Sequence, residues 1–287
     1  MTIAYLNGEY VPLEEAKISP MDRGFLFGDG IYEVIPSYGG KTIGTALHLI
    51  RFEKGLCEIG IDTPWSRADL KTVFDGLLAQ NGNGNLGIYL QVTRGVTMKR
   101  NHAFPKSPKP TIFAYTFDIP EPDNGNSETV TQWQVSSGKD LRWQRCHIKS
   151  TSLLGNVLHM MEGVESGASE ILLFDADDNL TEAAACNVFV VTKGVVRTPA
   201  LDNHKLAGVT RDMTLAILRQ HSSIEVREET ISRQDVMSAD EVWLSSSTKE
   251  LEPVVLIDGQ SVGTGKPGPV WSAAQALFAQ HRFDDFA

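Results

Sequence analysis

Hydrophobic and polar positions follow two rhythms along this chain, a period of two and a period near 3.6. The segment IAYLNGEYVP places two short alternating runs on either side of an Asn-Gly pair, which predicts a β-hairpin over residues 3–12. The glycine-punctuated stretch GFLFGDGIYEVIPSYGGK leads into an apolar strand. In ALHLIRFEKGLCEIG, Leu49, Phe52, Leu56 and Ile59 recur at helical spacing. RADLKTVFDGLLAQNG repeats that pattern, and Gly82 supplies its stop. Leu86, Ile88, Leu90 and Val92 share parity within LGIYLQVTR, so a strand with one apolar face is expected, followed by a second strand in PTIFAYTF.

Both rhythms lapse in DIPEPDNGNSE, residues 118–128, whose Pro, Asp, Asn and Gly content marks a linker. TVTQWQVSS then reads as a strand. SLLGNVLHMMEGVESGA reads as a helix with Leu153, Leu154, Val157, Leu158, Met161 and Val164 on one side. EILLFDADDNLTEAAACNVFVVT reads as strand, turn, strand, and VTRDMTLAILRQH as a helix opened by Gly208. EVWLSS and EPVVLID are strands, and PVWSAAQALFAQH closes the chain as a helix. Strands open each half and helices are interspersed. This order predicts two α+β domains: a small one over residues 1–118, a linker at 119–128 and a larger one over 129–287.

Composition narrows the picture modestly. The 287 residues carry a formal charge of -10, with 41% hydrophobic and 22% charged positions, values ordinary for a soluble globular protein. The acidic balance argues against a general nucleic-acid binder. Cys57, Cys146 and Cys186 are odd in number and widely spaced, so neither a disulfide framework nor a zinc motif is expected, and a reducing, cytoplasmic setting fits. The opening MTIAYLNGEYVP has no signal character, and no apolar run is long enough to cross a membrane. The seven histidines form no HExxH-like pair, so no metal is expected.

Candidate chemistry begins at RCHIKSTSLLGN, where Lys149 has no acidic residue within several positions. Ser150 is placed to cap the following helix, whose positive end would then disfavour the ammonium form. A lysine so tuned is what Schiff-base chemistry requires, although an isolated lysine is more often a surface cation with a snorkelling stem. Glu182 stands after the DADDN turn at the entrance to an apolar strand, either as a solvated strand-end charge or as the partner of a buried cation. LAGVTRD, residues 206–212, joins a loop to a helix start, where free N–H groups and the Thr210 hydroxyl form an anion site or an ordinary cap. SSST, residues 245–248, ends a strand with small hydroxyls, by itself a polar loop, and Arg51 is a cation in a helix otherwise largely apolar around it, a place where a snorkelling surface Arg is the commoner case.

Taken in order, HIKSTSLLGN, LTEAAACNVF, LAGVTR and SSST resemble the fold-type IV (class IV) pyridoxal-phosphate enzymes. That group comprises branched-chain aminotransferases, D-amino acid aminotransferases and aminodeoxychorismate lyases. The likeness runs from YLNGEYVP to the last helix. It implies a two-domain α+β fold with a β-barrel-like core in the larger domain, and pyridoxal 5'-phosphate as cofactor. Lys149 would form the Schiff base and later carry the proton at Cα. Glu182 would pair with the pyridine nitrogen. Arg51, the Val209 and Thr210 amides, and Thr248 would hold the phosphate, with Ser247 and Asn187 in the cofactor set and Leu206 against the ring.

DRGFLFGDGIYEV and the R-x-H-x-F-P run at Arg100 look like the D-amino acid aminotransferases. There Tyr32, Arg100 and His102 would bind the substrate carboxylate, the Arg and His reaching in from the partner subunit of a homodimer. The implied reaction moves the amino group of a D-alanine- or D-glutamate-type donor to a 2-oxo acid in a ping-pong cycle. The same motifs leave open an aminodeoxychorismate lyase or a branched-chain or (R)-amine transaminase. One departure stands out: Ala183, Ala184, Ala185 and Cys186 follow Glu182 where the relatives carry small hydroxyl residues. A non-enzymatic cofactor-binding scaffold would share that feature.

Overall fold

The N-terminal hairpin forms as its turn chemistry demands. In the computed structural model, which describes residues 1–286, β1 (Ile3–Leu6) pairs antiparallel with β2 (Glu9–Pro12). Asn7 and Gly8 supply the positive φ values of 52° and 110° that the turn needs. A short helix α1 (Arg23–Phe27) is capped by Asp22, and β3 (Gly30–Tyr38) and β4 (Lys41–Thr42) follow. Helices α2 (Thr45–Glu58) and α3 (Arg67–Asn81) precede β5 (Leu86–Thr93) and β6 (Thr111–Asp118). Ser66 and Asp69 close a reciprocal capping box at the start of α3. The strands form a sheet in the order β2-β1-β6-β5-β3-β4. Leu86, Ile88, Leu90 and Val92 all face the core, as their parity predicts, and pack with Ile31, Ile35, Phe52, Phe74 and Leu77.

This first unit comprises Met1–Pro120 together with a distant segment, Ile148–Leu153. The segment runs extended along β3. Tyr32 N donates to Lys149 O at 3.0 Å, Thr151 N to Gly30 O at 2.9 Å, and Ile148 joins the core. Ser150 therefore caps no helix, contrary to expectation. It bridges Ile31 within the extended stretch, and the next helix begins only at Leu154.

The second unit comprises Glu121–His147 and Leu154–Phe286. It begins with β7 (Trp133–Lys139), four residues later than its apolar pattern predicts, then α4 (Leu154–Glu165), β8 (Glu170–Phe174), β9 (Leu180–Ala183), β10 (Asn187–Thr192) and β11 (Val195–Pro199). Next come α5 (Val209–His221), β12 (Val226–Glu229), α6 (Arg233–Met237), β13 (Glu241–Ser246), β14 (Glu250–Ile257), β15 (Gln260–Ser261) and α7 (Pro269–His281). The sheet order is β12-β11-β10-β13-β14-β7-β8-β9, with β15 on β14. Its far edge comes round to its near one. Leu180 N at the start of β9 donates to Ile231 O, just past β12, at 2.8 Å. The sheet thus curls towards a barrel. Val188, Val190, Val242 and Leu244 fill its interior, while the alternate residues Phe189, Val191 and Trp243 pack with Leu215 and Leu218 of α5 and Trp271 of α7. The architecture is the two-domain α+β fold with a barrel-like core.

The apolar side of α4 points outward. Leu154, Val157, Leu158, Met161 and Val164 are exposed, and the buried positions of that helix are His159 and Gly163.

Candidate active site

Strand parity places a carboxylate in the N-terminal core. Ile31, Glu33 and Ile35 share the inward face of β3, and Glu33 is fully buried. A charge there needs partners, and α2 supplies two, one turn apart. Arg51 grips Glu33 bidentately, Nε to Oε1 and Nη2 to Oε2, both at 2.7 Å, and His48 Nδ1 lies 2.7 Å from Oε2. Burial works to raise the Glu33 carboxyl, but the Arg51 and His48 charges and hydrogen bonds outweigh it and hold it at about 2. Burial lowers the His48 pKa.

Tyr32, next in line, faces the other side of β3. Its ring stacks on Tyr89 at 5.7 Å, and the Lys149 Nζ lies 4.3 Å from the Tyr32 ring centroid. Main-chain pairing with β3 and this contact together aim the Lys149 side chain. Arg100 and His102 lie on an exposed loop. Arg23 anchors that loop by donating to Asn101 O at 2.5 Å and His102 O at 3.2 Å. The Arg100 guanidinium sits 5.0 Å from the Phe27 centroid, and the His102 ring 5.4 Å from it.

In the C-terminal unit, Glu182 on β9 is buried and accepts from three donors. Arg142 Nη1 reaches Oε1 at 2.6 Å, and Leu206 N and Asn187 Nδ2 reach Oε2 at 3.0 and 3.1 Å. Asp140 aligns Arg142 from behind, through Nη2 at 2.7 Å and Nε at 3.0 Å. Burial pushes the Glu182 carboxyl up, and the Arg142 guanidinium opposes it. Asn187 also donates to Leu206 O at 2.9 Å, so it ties Glu182 to the loop that opens α5.

Asn187 is the point on which the remaining residues converge. A Cβ on Gly208 would stand 1.9 Å from Asn187 Oδ1, which explains glycine there. Gly208 gives α5 no side-chain cap, so Val209 and Thr210 open a helix whose start accepts no side-chain hydrogen bond, Asp212 being the acidic residue of its first turn. Ser245 pairs with Asn187 across β13 and β10, and its hydroxyl is buried without a hydrogen-bond partner. Ser247 and Thr248 occupy the half-buried turn just beyond. The uncapped helix start and the unsatisfied hydroxyl suit a phosphate, and the donor-supported carboxylate suits a protonated ring nitrogen. These residues fit pyridoxal phosphate.

Sequence reasoning missed Glu33, His48, Arg142, Asp140 and Glu170. Glu33 was detectable: a glutamate with the parity of Ile31 and Ile35 must be buried and paired. Arg142 carried no local signal, because its partner Glu182 is remote along the chain. Glu170 holds the backbone of the alanine run. Buried beneath it, its Oε1 accepts from Ala184 N at 3.1 Å and its Oε2 from Ala185 N at 3.3 Å. The run is a backbone loop held from below by a carboxylate, which burial keeps above its ordinary pKa.

Residues 30–257 match the family model of class IV amino-transferases. The chain is 40% identical to a D-alanine aminotransferase of Staphylococcus haemolyticus over 287 residues, 98% of each chain. It is 36% identical to the D-alanine aminotransferase of Bacillus licheniformis, covering 94% of this chain and 93% of that one. Among solved structures, a branched-chain amino acid aminotransferase of Escherichia coli superposes with a TM-score of 0.88. That likeness is at 23% identity over 99% of this chain and 97% of the other, and it shows a shared fold.

Proposed function

The chain belongs to the class IV aminotransferases, and on that premise we propose that it is a pyridoxal phosphate-dependent transaminase moving the amino group of D-amino acids to 2-oxo acids. When bound, the cofactor supplies an aldehyde that captures the amino group and a ring that draws electrons from Cα. The protein's part is to place acids, bases and dipoles around it. Lys149, aimed by its pairing with β3, would give its amine to the cofactor and move the proton at the substrate Cα. Glu182, oriented by Arg142, Asn187 and the Leu206 amide, would hold a proton on the pyridine nitrogen. Arg51, itself clamped by Glu33, would hold the phosphate with the Val209 and Thr210 amides, Ser247 and Thr248, while Leu206 packs on the ring.

D-selectivity rests on the likeness to the D-alanine aminotransferases and on Arg100, His102 and Tyr32 as the carboxylate trap. In this reading the exposed Arg100–His102 loop serves the site of a second copy. The exposed apolar side of α4 is the kind of surface a homodimer would cover. The three cysteines are free thiols, consistent with a cytoplasmic setting, and no described helix is long and apolar enough to cross a membrane.

Glu182 carries the reading: a buried carboxylate on which Arg142, Asn187 and the Leu206 amide converge. The deciding experiment offers D-alanine and 2-oxoglutarate, and separately L-alanine, L-leucine and an (R)-amine. D-alanine should bleach the holoenzyme's visible band and yield pyruvate and glutamate. Turnover with only the other donors would overturn the assignment.

A further inference from the structure

We infer that the protein carries a surface binding site for a borderline divalent cation of the Zn²⁺ or Ni²⁺ type, built from His221, His281 and Asp284. The site lies in the C-terminal unit, where α5 packs against α7. Each helix ends in a histidine, and the two rings stack with centroids 3.7 Å apart and planes 14° off parallel. Asp284 joins them from the turn that follows α7. Its amide donates to His281 O at 3.0 Å, and its Oδ2 lies 2.7 Å from His281 Nδ1. One ligand atom from each of the three residues falls within 4.8 Å of the others.

Three observations favour a cation there. Two imidazoles and a carboxylate form a donor set suited to zinc, nickel or copper rather than to magnesium or calcium, and three protein donors leave a position for water. Asp284 Oδ2 and His281 Nδ1, 2.7 Å apart, stand close to the spacing of two ligands on one ion, so a cation would take the place of the proton they share. Both helices also direct the negative ends of their dipoles at this point. The neighbouring cation does not compete: Arg282 is buried and turned to Glu250, 3.1 Å away. His221 and Asp284 are exposed and His281 is half-buried, so small side-chain rotations can draw the donors to coordination distance. The two histidines stand 60 positions apart in the sequence, which hid the cluster from any spacing motif.

A bound cation staples the C-terminal ends of α5 and α7 and stabilises the folded state by mass action. The test uses holoenzyme stripped of adventitious metal with chelator, then titrated calorimetrically with ZnCl₂ and NiCl₂ alone. Wild type should take up one more equivalent per chain than the His221→Ala/His281→Ala double variant, and its Tm should rise with metal where the variant's does not. Asp284→Asn should weaken that equivalent about 10-fold or more. Matching metal-free Tm values and circular dichroism show that the variants fold. Equal stoichiometry and affinity in wild type and double variant would overturn the inference.

Discussion

At the scale of single residues, the two buried carboxylates show how charge is kept inside a protein. Glu33 is answered by Arg51 and His48, and Glu182 by Arg142, Asn187 and a backbone amide. Removing one partner leaves a buried charge uncompensated. Arg142→Met should therefore destabilise the protein by about 3–5 kcal/mol in urea titration and lower cofactor affinity. An equally stable variant would mean that Glu182 is neutral in the fold. Lys149→Ala should leave circular dichroism unchanged and reduce D-alanine turnover by on the order of 10⁴-fold, as expected when nucleophile and proton carrier are one group. Retained turnover would remove Lys149 from the mechanism. Of these residues Lys149 and Glu182 were legible in the chain, whereas Arg142 was not, because an ion pair between remote positions leaves no periodicity.

At the scale of elements, the turns and helix starts are as specific as the side chains they carry. Gly208 opens α5 against Asn187, whose amide already holds Glu182 and Leu206. Gly208→Ala should push that amide aside, so the purified variant should carry less cofactor by absorbance while retaining its helix content. Glu250 begins β14 with φ 57° and is tied to α7 by Gln275 Nε2 at 2.7 Å. Burial raises its carboxyl from 4.5 to about 7. Because the folded state holds the proton more tightly, this group's favourable contribution is complete below about 4.5 and is lost as pH rises through about 7. The loss is on the order of 3 kcal/mol. A Tm profile from pH 4 to 8 should fall over this window, and Glu250→Gln should flatten part of it, Glu252, also raised to about 7 by burial, carrying the rest. The long amphipathic helices and alternating strands were readable at this scale. Helices α1 and α6 and strands β4, β11, β12 and β15 were not, since two to five residues rarely establish a period by themselves; β1 and β2, equally short, were read from the Asn-Gly turn between them.

For the whole molecule, the apolar stripe on α4 and the Arg100–His102 loop are both exposed. If each loop completes the site of a second copy, two inactive proteins should rescue each other. Lys149→Ala lacks the amine and Arg100→Ala lacks the carboxylate clamp. Mixed and refolded together, they should form hybrid dimers holding one site with both groups. The mixture should recover up to about a quarter of wild-type activity, half of the chains pairing as hybrids with one good site of two. No recovery, with dimers confirmed by sedimentation, would place Arg100 in its own chain's site.

By itself the sequence determined the long elements, the two-part α+β organisation and the order of the chemical motifs, because hydrophobic period, turn residues and short motifs are local properties. Tertiary structure alone decided that residues 148–153 run along β3 rather than begin a helix, that α4 turns its apolar side outward, and that Arg142, Glu170 and the His221–His281 pair meet their partners. Each of those depends on contacts between residues far apart along the chain, where backbone pairing and burial outweigh any local preference.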